Sequence, residues 1–121
     1  MAQRVLVVDD EGYLRDLYKE VLERDGFTVD TCADGETALP VYQGRGPFHL
    51  VLTDVGLGTG KMDGLVLART ILELDPKQPI IIMSAKETIA LQQAQQSGIP
   101  TLRKPFRIDE LSRLAREHAR P

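Results

Sequence analysis

Apolar positions follow two rhythms that alternate along the chain: short unbroken runs, and stripes spaced three or four residues apart. Val5-Leu6-Val7-Val8 is a β-branched and leucine run of the kind carried by a strand buried on both faces. Leu14, Leu17, Tyr18, Val21 and Leu22 then recur at helical spacing, and Gly26 supplies the stop. Phe27 to Cys32 alternates apolar with polar, which predicts a strand with one wetter face at a sheet edge. Asp34 offers an N-cap for a short helix through Tyr42, where Pro40 removes an amide donor and predicts a kink or early end. Leu50-Val51-Leu52-Thr53 reads as a third strand, and Leu65, Ala68, Ile71 and Leu72 restore helical spacing until Asp75-Pro76. Ile80-Ile81-Ile82-Met83 is a fourth buried strand. Lys86 to Ser97 reads as a polar helix with Ile89, Ala90 and Ala94 as its thin apolar stripe, the glutamines 92, 93, 95 and 96 facing solvent and Gly98 ending it. Thr101-Leu102-Arg103 makes a brief fifth strand, and Ile108, Leu111, Leu114 and Ala115 mark a final helix.

Strands alternating with helices in this way predict an α/β fold, an open, doubly wound parallel sheet with helices on both faces. Right-handed crossovers place the carboxyl end of every strand on one rim, and ligands bind outside that rim. Four of the apolar runs lead into polar groups that must then meet there: Asp9 and Asp10, Asp54, Ser84, and Lys104.

Carboxylates gathered within about 4 Å repel by roughly 4 kcal/mol per ionised pair at an effective dielectric near 20. Lys104 offsets part of that, and a hard cation with oxygen ligands such as magnesium offsets more. Helix capping is the plainer reading of Asp9 and Asp10, but it does not account for Asp54 across the sheet. Asp54 follows a strand and precedes a loop holding Gly56, Gly58, Gly60 and Gly64, so a phosphoryl donor can reach its side chain. A hydroxyl at Ser84 and a compact cation at Lys104 suit phosphoryl oxygens. Taken singly, Ser84 is a loop residue and Lys104 a surface charge; together they predict a carboxylate that accepts phosphate. Pro105 is expected to be cis, aiming the lysine back over the rim.

Composition narrows the classes. The 121 residues suit one domain, 42% hydrophobic and 27% charged, and a net charge of −3 gives no bulk attraction to nucleic acid or anionic lipid. Lone Cys32 forms no internal disulfide, and no apolar stretch approaches a membrane span or a signal-peptide core, which together suggest the cytoplasm. Basic residues gather in the last segment, Arg103, Arg107, Arg113, Arg116, His118 and Arg120, and read as a solvated helix face that complements the helix dipole. His49 and His118 read as surface residues. No linker or internal repeat is visible, so residues 1–121 are expected to form a single domain with no output domain.

Val5-Leu6-Val7-Val8-Asp9-Asp10-Glu11, Leu50-Val51-Leu52-Thr53-Asp54, Met83-Ser84-Ala85 and Leu102-Arg103-Lys104-Pro105-Phe106 together resemble the receiver domain of two-component response regulators. The resemblance implies a flavodoxin-like sheet of order 2-1-3-4-5, the order that the fold's known examples share. It implies phosphotransfer from a sensor histidine kinase or phosphotransfer protein to Asp54, with Mg2+ held by Asp10, Asp54, the Gly56 carbonyl and Asp9. Ser84, Ala85 and Lys104 would surround the phosphoryl oxygens. The implied protein is a signalling domain that catalyses only its own phosphorylation and dephosphorylation and acts through a downstream protein, not through direct contact with nucleic acid or membrane.

Three departures from the family pattern stand out. Receivers commonly carry Met-Pro in the loop after the acceptor, where Leu57-Gly58 stand here, and Gly64 lies later than the usual glycine, as in receivers associated with hybrid sensor kinases. Thr101 replaces an aromatic residue of the usual switch. Gly56 and Lys86 occupy positions that influence hydrolysis, and a glycine with no side chain to hold water predicts a moderately slow loss of phosphate. Two rivals remain: a degenerate receiver acting as a constitutive interaction module, and an aspartate-nucleophile phosphohydrolase of the haloacid dehalogenase type. The second expects Asp-x-Asp on its first strand, whereas Asp9 and Asp10 are adjacent.

Overall fold

In the computed structural model, which describes residues 2–56, 62–85 and 89–121, the apolar runs become strands β1 (Arg4–Val8), β3 (Leu50–Asp54) and β4 (Ile80–Ser84). Strands β2 (Thr28–Cys32) and β5 (Thr101–Arg103) complete one parallel sheet of order β2-β1-β3-β4-β5. The α/β architecture and the strand order are as expected, with the alternating segment β2 at an edge.

Successive strand side chains point to opposite faces, so an uninterrupted apolar run fills both sides of the sheet. Val5, Val7, Leu50, Leu52, Ile81 and Met83 pack with Tyr18, Val21 and Leu22 of α1 (Gly12–Arg24) and with Leu111 and Ala115 of α5 (Ile108–His118). On the other face Leu6, Val8, Val51, Ile80 and Ile82 meet α2 (Gly35–Arg45), α3 (Gly64–Leu74) and α4 (Ile89–Gln96) through Ala38, Leu67, Ile71 and Leu91. Full burial of each large aliphatic side chain contributes roughly 1.5–3 kcal/mol, so the two clusters hold the strand ends in fixed relation.

Several expectations need correction. Helix α2 does not stop near Tyr42 but runs through Pro40 to Arg45. Pro40 is exposed, so the amide that the proline lacks is missing from the outer face of the helix and not from its packed side. In α4 Ala94 is buried and Ala90 packs half-buried against the core as expected, but Leu91 joins them in place of Ile89, which is 74% exposed. The glutamines do face solvent, but residues 86–88, where that helix was expected to begin, lie outside the described residues. His49 is half-buried, its Nδ1 accepting the Arg4 amide at 2.9 Å, and His118 is half-buried too. Arg120 is no solvated cation: its guanidinium donates to Asp75 at 2.7 Å and to Gln78 at 2.6 Å, tying the last turn to the amino-terminal rim of the sheet. The Lys104–Pro105 bond is cis as expected, and so is Gly46–Pro47. Among the described residues no helix is long and apolar enough to cross a membrane.

Candidate functional site

Register sets which side chains share the carboxyl rim. Val8 pairs with Thr53, Asp54 with Met83 and Ser84 with Arg103, so the residues that follow or end these strands stand side by side. The backbone ladder continues one step further through Asp9 N to Cys32 O at 3.1 Å, Val55 N to Met83 O at 2.8 Å and Lys104 N to Ser84 O at 2.8 Å. Asp9, Ser84 and Lys104 therefore spring from backbone that is itself bonded, which limits how far their side chains can drift.

Lys104 bridges the site. Its ammonium donates to Asp9 Oδ2 at 2.8 Å and to Asp54 Oδ2 at 2.9 Å, although these residues lie 95 and 50 positions away in the chain. Asp9 is fully buried, and the Lys104 side chain is only 11% exposed. Asp9 Oδ1 accepts the Glu11 amide, so this residue orients the start of α1 as well as the lysine. The Glu11 side chain itself makes no capping bond to α1. Asp10 is exposed, yet carboxylate oxygens of Asp9, Asp10 and Asp54 lie within 4.8 Å of one another. Three acids against one ammonium leave surplus negative charge, and an all-oxygen donor set with one wet side fits a magnesium ion that retains waters.

Burial raises the Asp54 carboxyl above the ordinary aspartate range, against the bond and charge of Lys104 and the Gly56 amide, which reaches Asp54 Oδ1 at 3.2 Å. Burial wins because the lysine is shared with Asp9, whose own charge works in the same direction as burial. Burial also opposes the charge on Lys104, but the bonds and charges of Asp9 and Asp54 outweigh it and hold the ammonium above the usual lysine range. The site therefore pairs a carboxyl that holds its proton more tightly than usual with a lysine that stays charged. Ser84 is buried at the end of β4, Ala85 follows it exposed, and the exposed Gly56 begins the loop after β3. Leu57, Gly58, Gly60 and Lys86 lie outside the described residues.

Gly64 shows how tightly α3 is docked on the rim. Its amide donates to Val55 O at 2.9 Å, and a Cβ placed on it would collide with the carbonyl oxygen of Asp54. Gly64→Ala must push α3 or the Asp54–Val55 backbone aside. The expected loss is about 2 kcal/mol in urea unfolding, the scale of an overpacked core. An unchanged unfolding midpoint would show that α3 moves freely.

Two aromatic residues next to the lysine were not singled out for chemistry in the sequence. Tyr18 of α1 was legible only as part of an apolar stripe, yet its ring lies beneath the Lys104 ammonium, 5.9 Å from nitrogen to centroid. Phe106 stacks on it at 5.5 Å. Burial pushes the Tyr18 hydroxyl up to about 12, with Lys104 opposing and Asp9 and Asp54 assisting.

The family model described as "Response regulator receiver domain" matches residues 5–116. Among curated proteins, the alkaline phosphatase synthesis transcriptional regulatory protein SphR of Synechococcus elongatus is 38% identical, over 72% of this chain and 36% of that protein. The chemotaxis protein CheY of Bacillus subtilis is 31% identical over 92% of each chain. The crystal structure of the receiver domain of NtrX from Brucella abortus superposes with a TM-score of 0.85 at 33% identity, over 93% of this chain and 95% of that one. The chain thus spans about a third of SphR but nearly all of CheY.

Proposed function

The chain belongs to the family of response regulator receiver domains, and we propose that within it Asp54 is the phosphoryl acceptor whose modification changes the protein's contacts. Receiver domains act in phosphoacceptor signalling, and the family generally uses Mg2+ at its acidic pocket. The observation that carries the assignment to this residue is the Lys104 ammonium bonded at once to Asp9 and Asp54 at the carboxyl rim.

In the proposed reaction a carboxylate oxygen of Asp54 attacks the phosphorus of a phosphohistidine on a sensor kinase or phosphotransfer protein. A P–O bond forms, the P–N bond breaks, and its electron pair returns to the imidazole nitrogen. The product is an acyl phosphate. Water later attacks the same phosphorus, releasing inorganic phosphate and restoring the carboxylate. Lys104 gives an N–H to one phosphoryl oxygen, while the Ser84 hydroxyl and the Ala85 amide serve the others. Asp9, Asp10, Asp54 and the Gly56 carbonyl would hold a magnesium ion, which supplies positive charge to the phosphoryl oxygens when bound. Slow hydrolysis remains our expectation from Gly56, and a phosphoryl lifetime of seconds in purified protein would contradict it. Output runs through protein contacts, and the cytoplasm is the proposed location.

Incubation with acetyl phosphate and magnesium, followed by intact mass, tests the reading. A gain of one phosphoryl group in the parent, absent with EDTA and absent in Asp54→Asn, is expected. An equal gain in Asp54→Asn would overturn the assignment, and continuous release of phosphate from a phosphomonoester would favour a hydrolase.

A further inference from the structure

Lys104 carries its charge on a flexible four-carbon stem beside an open groove of about 500 Å³ that runs between α1 and the start of α5. Nothing in the stem itself keeps the ammonium over Asp54 rather than in that groove. Two of its neighbours are acids, and one of these, Asp54, changes chemically when it accepts phosphate. The third neighbour is the Tyr18 ring, which forms part of the groove wall and is 4% exposed. Its distance from the ammonium, 5.9 Å to the centroid, lies within the range where a ring face attracts a cation.

The ring is fixed from below. Phe106 stacks on it with an interplanar angle of 28°, and Tyr18 packs in the same cluster as Val21, Leu22 and Leu111. A ring face attracts an ammonium without accepting a directed hydrogen bond, so it leaves the N–H groups available for oxygen. Carboxylates alone lack that property, because each occupies a donor that a phosphoryl oxygen needs.

We propose that Tyr18 is a positioning residue for phosphoryl transfer: its ring face holds the Lys104 ammonium at the rim and keeps it out of the α1–α5 groove before and after Asp54 changes. The proposal rests on the reading of Asp54 as acceptor. It assigns the effect to the ring and not to the hydroxyl, so Tyr18→Phe should behave like the parent and Tyr18→Leu should not.

The test compares initial rates of phosphoryl uptake from acetyl phosphate in the parent, Tyr18→Phe and Tyr18→Leu, with the melting temperature and the magnesium dissociation constant of each. Tyr18→Leu is expected to slow uptake about fivefold, the scale of a partly desolvated cation–ring contact, with magnesium affinity unchanged and Tyr18→Phe within roughly twofold of the parent. Retention of the parent rate in Tyr18→Leu, or an equal fall in Tyr18→Phe, would overturn the proposal. If Tyr18→Leu does not fold, progressively fluorinated phenylalanines at position 18 weaken the ring face at nearly constant shape. A graded fall in rate supports the role and a flat series contradicts it. Independently of any transfer, the side-chain protons of Lys104 should show an upfield ring-current shift in the parent and in Tyr18→Phe that is lost in Tyr18→Leu. A parent that takes up no phosphate would sink the acceptor reading and leave that shift to decide the place of Tyr18.

Discussion

Lys104→Met is expected to slow phosphoryl uptake roughly 10²-fold, the cost of removing one well-placed charge-stabilising donor, and to destabilise the metal-free fold by about 3 kcal/mol at neutral pH. The first effect follows from the position of the ammonium, 2.9 Å from the Asp54 oxygen, where the proposed transfer would build up negative charge. The second follows from what the lysine leaves behind. Asp9 is fully buried and Asp54 nearly so, and without Lys104 both lose the cation that they share. Leaving a buried charge unpaired costs far more than the intact pair contributes, which sets the sign. Adding Asp54→Asn to Lys104→Met should recover part of the stability, because one of the stranded carboxylates is then neutral. Urea unfolding of the two variants measures this, and a single variant as stable as the parent would show that water already screens the site.

Asp54→Asn is expected to abolish uptake and, without magnesium, to raise stability at neutral pH by about 1 kcal/mol, worth about 4 °C in melting temperature. The sign comes from the raised carboxyl. A folded state that binds the proton more tightly than the unfolded chain is favoured below the ordinary aspartate pKa near 4, and that advantage is lost as pH rises towards the folded value. Above this window the parent carries an ionised Asp54 that burial disfavours, and the asparagine does not. The two melting temperatures should converge under acid conditions and separate towards neutrality. Magnesium should reverse the order, since a ligand that binds only the folded state stabilises the protein with the complete acid set more. A parent that stays more stable than Asp54→Asn at pH 7 without metal would show that Lys104 outweighs burial.

The fold and the meeting of Asp9, Asp54 and Lys104 were legible because both rest on one physical rule. Parallel strands buried on both faces need unbroken apolar runs, and right-handed crossovers send all their carboxyl ends to one rim. What escaped the sequence depends on contacts between distant segments. Pro40 reads as a helix breaker until it is seen on the exposed face of α2, where its missing amide lies away from the core. Ile89 and Leu91 both fit a short helix, and only docking on β4 and β5 decides which turns inward. Arg120 and His49 look solvated in a list of charges, yet the fold brings the chain's last turn beneath the sheet and ties them there. Tyr18 gave no chemical signal, because an aromatic in a helical stripe is core by default and its nearness to Lys104 exists only once α1 packs against the β5–α5 connection.

The central claim is that one carboxylate, and no neighbour, receives the phosphoryl group. After incubation with acetyl phosphate and magnesium, reduction with borohydride converts an acyl-phosphorylated aspartate to homoserine, which peptide mass mapping then locates. Homoserine at position 54, with Asp9 and Asp10 intact, is the predicted result; homoserine at either of those positions, or at none, would contradict the account.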